Sequence, residues 1–158
     1  HVRLFELTGP DDELSVAGIL EGGKLSPQSS RGPVSWAGVR SYESDVKVLK
    51  PDVTACFGGF PVWAPRTMRL RNGWEVLATS GDGQKIVGPR GNSFAGPHVA
   101  GIAALMLEVA PELVAWRIQD AIRATSRDLG DEGPDVEYGH GLVHAATAVE
   151  RARVEAKR

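Results

Sequence analysis

Between Ser93 and Ala110 the chain carries Val99, Ile102, Ala103, Ala104, Leu105, Met106, Leu107 and Val109, and Pro111 follows at once. A helix over this run is apolar almost all the way round, and the proline ends it. Such a helix is stable only when other elements cover it on nearly every side, so the fold must be built around it. Val99, Ile102, Leu105 and Met106 are expected to pack against strands, which makes this the most buried element.

The rest of the chain supplies the covering elements. Leu14 to Leu20, rich in Val, Ile and Leu, reads as a strand followed by a turn at Glu21-Gly22-Gly23-Lys24. Its continuous apolar character suits a sheet covered on both faces. Lys50-Pro51-Asp52-Val53-Thr54-Ala55 reads as a second short strand entered through a proline. Thr67 to Arg71 and Trp74 to Thr79 flank Asn72-Gly73, a turn dipeptide that predicts a β-hairpin. Two further helices follow the first. Pro111 to Ser126 places Val114, Ile118 and Ile122 on one stripe and leaves Arg117, Asp120 and Arg123 to solvent. Gly141 to about Lys157 carries Leu142, Ala145, Val149 and Ala152 on one stripe and ends in cations. Strands followed by packed helices predict an α/β layered fold. With all three helices late in the chain, one face of the sheet is expected to lie bare, which predicts association or aggregation.

Composition excludes several classes. At 158 residues and a formal net charge of -2, nothing favours a nucleic-acid or anionic-membrane partner. The lone Cys56 forms no internal disulfide and is too little for a cysteine-based metal cluster, so it reads as a small buried hydrophobe. No apolar run approaches the roughly 18 residues of a membrane-spanning helix, and the first residues lack the pattern of a signal peptide. The chain opens at His1, which reads as a truncated or processed start.

Chemistry concentrates in Gly91-Asn92-Ser93-Phe94-Ala95-Gly96-Pro97-His98-Val99-Ala100-Gly101. A glycine-flanked serine stands where a loop becomes the buried helix. The first N–H groups of a helix have no intrahelical acceptor, so Pro97 is tolerated if the helix begins near Ser93. There the Ser93 hydroxyl lies beside free N–H groups and the positive end of the helix dipole, which favours an oxyanion on an attacked carbonyl. Gly91 and Gly96 allow a substrate backbone or strand to come close. On local physics alone, an N-cap is the commoner reason for a serine at such a boundary.

The whole segment resembles the nucleophile motif of the subtilases, Gly-Thr-Ser-Met-Ala-x-Pro-His-Val-Ala-Gly. Ser29-Ser30-Arg31-Gly32-Pro33, Lys50-Pro51-Asp52-Val53-Thr54-Ala55 and Tyr138-Gly139-His140-Gly141-Leu142-Val143 are similar to three further subtilase motifs, in the family's order. The likeness runs from about Leu14 to Val149 and identifies residues 1–158 as a C-terminal portion of a subtilase catalytic domain. Asn92 stands where threonine is usual, Gly96 replaces alanine or serine, and Cys56-Phe57-Gly58 replaces a usual Pro-Gly.

The resemblance implies a three-layer α/β fold of subtilisin type with a mostly parallel sheet, incomplete in this chain. It implies a serine endopeptidase acting on peptide or protein substrates through an acyl-enzyme on Ser93, with Gly91 and Asn92 in the substrate and oxyanion loop. Subtilases set their triad in the order Asp, His, Ser. Neither Asp-Ser/Thr-Gly nor His-Gly-Thr-His, the settings of the first two, occurs in these 158 residues. The missing pair would come from upstream sequence or a complementing chain, the alternative being an inactive remnant that serves as a binding module. His98 lies about 140° round the helix from Ser93 and is expected to be structural. His140 and His144 are expected to be solvated or packed. No cofactor is required for the chemistry. A structural calcium is implied only by the family, with Asp11-Asp12-Glu13 and Asp128 to Asp135 as the acidic loops. A secreted location likewise rests on the family alone.

Rival signatures fail. Gly91 to Ala95 lacks the final glycine of Gly-x-Ser-x-Gly, and the glycines from Gly83 to Gly91 lack the Gly-Lys-Ser/Thr of a phosphate loop.

Overall fold

The computed structural model describes residues 13–35, 47–58, 76, 78–81, 83 and 86–157. In chain order the elements are β1 (Val16–Ile19), β2 (Val34–Ser35), β3 (Lys47–Val48), β4 (Val53–Cys56), β5 (Ala78–Thr79), β6 (Ile86–Val87), α1 (Asn92–Val109), α2 (Ala115–Thr125) and α3 (Ala145–Glu155). A short 3-10 turn at Glu21–Gly23 follows β1, where the glycines predict one.

The two apolar strands read from the sequence pair with each other. β1 and β4 run parallel, with Val16 opposite Val53 and Ile19 opposite Cys56. The pair is extended on the far side of β4 by a parallel bridge from Thr54 to Leu142. There Thr54 N–H donates to Gly141 C=O at 2.8 Å, and Val143 N–H donates to Thr54 C=O at 3.0 Å. Leu142 also bridges Arg127 in the antiparallel sense, so Leu142 is held as extended backbone. That pairing is why α3 starts at Ala145 and not at Gly141, where the apolar stripe alone would begin it.

In-register partners of a parallel pair project to the same face, so Val53 and Ala55 lie on one face and Ala17, Ile19 and Thr54 on the other. All five are buried. The described sheet is therefore covered on both sides, contrary to the expectation of a bare face. Val53 and Ala55 join Ala95, Val99, Ile102, Met106, Ile118, Ile122 and Ala148 in one core, which α1 joins to the strands and to α3.

The central helix differs from expectation in how it is covered. Val99, Ile102 and Met106 are buried at helical spacing, but Leu105 is 48% and Leu107 39% exposed. The sheet and α3 cover one side only, and a helix side chain reaches a neighbour on one face at a time. Among the described residues the large exposed apolar side chains therefore include Leu105 and Leu107 on α1, Val114 and Trp116 at the entrance to α2, Val154 on α3 and Val136 in the loop before α3. α1 also begins one residue early, at Asn92, which puts Pro97 in its second turn. A proline has no N–H to give the Ser93 carbonyl one turn back.

α2 starts at Ala115, not at Pro111, because residues 111–114 turn out of α1 first. The hairpin expected around Asn72-Gly73 lies outside the described residues, apart from Ala78–Thr79, which pair antiparallel with Ile86–Val87. Among the described residues no helix is long and apolar enough to cross a membrane.

Candidate active site

Ser93 sits in the first turn of the 18-residue α1, exposed to solvent. The turn into the helix is made by Gly91 at φ 147°, a conformation that a side chain would strain. Gly91 N–H donates to Phe57 C=O at 2.8 Å, tying the loop to the end of β4, and Phe94 N–H closes the first turn on Gly91 C=O at 2.9 Å. Among the described residues, neither the Ser93 hydroxyl nor its backbone N–H has a hydrogen-bond partner. Ser93 is not the N-cap; Gly91 is, with no side chain to cap with. A free hydroxyl and a free N–H at the positive end of a long helix form an arrangement that can receive a carbonyl and hold the charge developing on its oxygen.

Asn92 turns inward. Its Oδ1 lies 3.1 Å from the Oγ of Ser29, which in turn bonds β1. Gly96 borders open space, with nothing near the position its Cβ would take.

Among the described residues, the rings of His98 and His144 are engaged elsewhere. His98 Nδ1 is 2.7 Å from Phe94 C=O, so the ring donates to its own helix backbone and is not directed at Ser93. His144 caps α3, accepting from Thr147 N–H at 3.4 Å. His140 is half-buried, and its backbone N–H donates to Asp52 C=O at 2.7 Å. Burial first, and then the Arg123 charge, hold its pKa below the ordinary histidine value. Cys56 closes β4, half-buried.

The Lys-Pro-Asp segment proves to be a clasp. Asp52 is 5% exposed. Its Oδ2 accepts from Ser15 N–H at 2.7 Å, Ser15 Oγ at 2.9 Å and Lys50 Nζ at 2.7 Å, while Oδ1 accepts from Arg123. Burial alone would raise the carboxyl pKa, but the bonds from Lys50, Ser15 and Arg123 outweigh it and hold the group below the usual carboxylate value. Arg123, expected in solvent, is thus turned inward to join α2 to the starts of β1 and β4. The spacing of apolar residues along α2 carries no trace of this, because the partner lies far upstream.

The acidic loop at 128–135 closes on itself. Asp128 Oδ2 accepts from Gly133 N–H at 2.8 Å, and Asp135 Oδ1 from Glu137 and Tyr138 N–H at 2.7 Å each. Only Asp135 Oδ2 is buried there without a partner, far short of the roughly six to eight oxygens that calcium takes. Among the described residues no group of three or more His, Cys, Asp or Glu side chains is placed to hold a metal ion. Asp11 and Asp12 lie outside the described residues.

The sequence profile of the subtilase family matches residues 11–141. The thermostable alkaline protease of Halalkalibacterium halodurans is 32% identical over 137 residues, 85% of this chain and 35% of that protein. A subtilisin-like protease of Arabidopsis thaliana is 32% identical over 138 residues, 78% of this chain and 15% of its own length. In fold, a protease of Pseudoalteromonas arctica superposes with a TM-score of 0.61 at 24% identity, covering 90% of this chain and 38% of the other. The chain spans about a third or less of the length of the curated relatives it matches. With its motifs in the family's order, its parallel strand pair beneath the serine-bearing helix, and the profile match across most of its length, this chain belongs to the subtilase family, whose members are serine endopeptidases.

Proposed function

We propose that the chain is a C-terminal portion of a subtilase catalytic domain and that Ser93 is its nucleophile in peptide-bond hydrolysis. The observation that carries this reading is the placement, at the start of α1, of a Ser93 hydroxyl and N–H unpartnered among the described residues, in an exposed turn held by Gly91. Ser93 Oγ attacks the scissile carbonyl while a histidine from outside these 158 residues takes its proton and passes it to the leaving amine. An aspartate, also from outside, orients that histidine. Water then releases the acyl group and restores Ser93. The Ser93 N–H helps hold the oxyanion.

The aspartate and histidine are assigned to upstream sequence or a complementing chain because Asp-Ser/Thr-Gly and His-Gly-Thr-His are absent here, while the relatives extend well beyond the matched region. An open apolar groove of about 360 Å³ between α1 and α2, lined by Leu14, Val16, Val99, Ala103 and Ile118, offers such a segment a seat. One relative is the extracellular serine protease of Serratia marcescens, and a secreted setting is the corresponding reading for this chain.

The test uses a fluorophosphonate probe and an unfolded protein substrate. Alone, the 158-residue chain should not label, because an unassisted serine hydroxyl is a weak nucleophile. Joined to a segment carrying the aspartate and histidine, it should label at Ser93 and hydrolyse the substrate, and Ser93→Ala should abolish both. A joined, folded protein that neither labels nor hydrolyses would identify an inactive subtilase remnant acting as a binding module.

A further inference from the structure

Resting on the reading of Ser93 as nucleophile, we propose that Ser29 and Asn92 form a positioning pair that fixes the height of the Ser93 turn above β1. Ser29 is 8% exposed and comes from the Ser-Ser-Arg-Gly-Pro segment, whose purpose is otherwise unexplained. Its Oγ accepts from Gly18 N–H at 2.9 Å and lies 3.1 Å from both Gly18 C=O and Asn92 Oδ1. A hydroxyl has one hydrogen and cannot serve both oxygens at full strength. All three contacts are satisfied when the Asn92 amide makes a half-turn and donates from Nδ2 to Ser29 Oγ, leaving the Ser29 hydrogen for Gly18 C=O. The two ends of the amide have the same shape, so the exchange costs no space.

Gly18 has no Cβ for a matching reason. One placed there would collide with the Phe57 ring and lie 2.7 Å from Asn92 Oδ1. The bare backbone of β1 therefore lets Asn92 lie against the strand. Together with the Gly91 to Phe57 bond, the turn before Ser93 is stitched at two points, one on β1 and one past the end of β4. The side chain of Asn92 is spent on this stitch, so its part in the oxyanion loop is played by the backbone. Ser29 and Asn92 act through Ser93 and touch no substrate.

Two measurements test the pair. In the protein joined to its aspartate and histidine, Ser29→Ala and Asn92→Ala should each lower kcat roughly tenfold with KM unchanged, the scale of a small misplacement of a reacting group. The double variant should lose little more than either single one. Multiplying losses, or a raised KM at constant kcat, would overturn the proposal. In the 158-residue chain alone, the Phe94 amide should exchange its hydrogen about tenfold faster in both variants, with the Ile102 amide unchanged. An unchanged Phe94 amide would also overturn it. If wild-type Ser93 never labels while Phe94 responds as stated, the nucleophile reading fails and the stitch stands.

Discussion

Arg123, on α2, reaches Asp52 at the entrance of β4, with Nη2 2.9 Å and Nε 3.2 Å from the same carboxylate oxygen. The other oxygen holds Lys50 and Ser15, so one buried carboxylate serves two cations and a strand start. Removing it leaves Lys50 with the Glu13 carbonyl and Arg123 with the longer 3.5 Å contact to Asp120, in a place where only 14% and 20% of their side chains are exposed. Asp52→Ala should therefore cost roughly 3–5 kcal/mol in urea unfolding. Arg123→Met should cost less, because Lys50 and Ser15 still satisfy the carboxylate. A loss under about 1 kcal/mol for Asp52→Ala would mean that the clasp is solvated.

Stability should fall with acid in two steps. The folded pKa of His140 lies below its ordinary value of 6.5, so below that pH the unfolded chain binds the proton more readily and stability declines until the folded value is passed. Asp52 is depressed below 3.8. Its contribution is whole above that pH and is lost as pH falls through the lower folded value. Urea midpoints measured against pH should show the first step removed by His140→Gln and the second by Asp52→Asn. A single step unaffected by either variant would place the acid sensitivity elsewhere.

Two neighbours on α1 should behave oppositely. Met106 is fully buried, and Met106→Ala should cost roughly 2–5 kcal/mol. Leu105, half exposed, should cost only about 0.5 kcal/mol on the same change. Comparable losses from both would mean that the outer side of α1 is covered in solution.

Thr54 carries a hydroxyl that is buried without a hydrogen-bond partner among the described residues. Thr54→Val keeps the branched shape a strand favours and removes the unpaired group. The variant should be about 1 kcal/mol more stable, read as a raised thermal midpoint. A destabilised variant would reveal a partner for Oγ1.

What the sequence made legible was local. The apolar run placed α1 to within a residue at each end, and the serine segment stood out because its glycines, proline and helix start are adjacent in the chain. Its all-round apolarity also hid which side would be covered, since a helix without a polar face offers no contrast to read. Arg123 was indistinguishable from a solvent residue because its partner lies 71 positions away. Ser29 and Asn92, 63 apart, belong to segments that looked separately familiar without any sign that they meet. Leu142 fits the stripe of a helix equally well, and only the approach of Thr54 and Arg127 makes it extended.

The bridge between Thr54 and residues 141–143 also orders events during synthesis. Thr54 is fully buried, and its N–H and C=O are both satisfied by backbone that the ribosome makes nearly ninety residues later. Until then the inner strand of the pair presents an unpaired edge, the feature that recruits stray strands. A nascent chain halted before Gly141 would expose that edge and invite chaperones or proteolysis, whereas release of the last helix closes it.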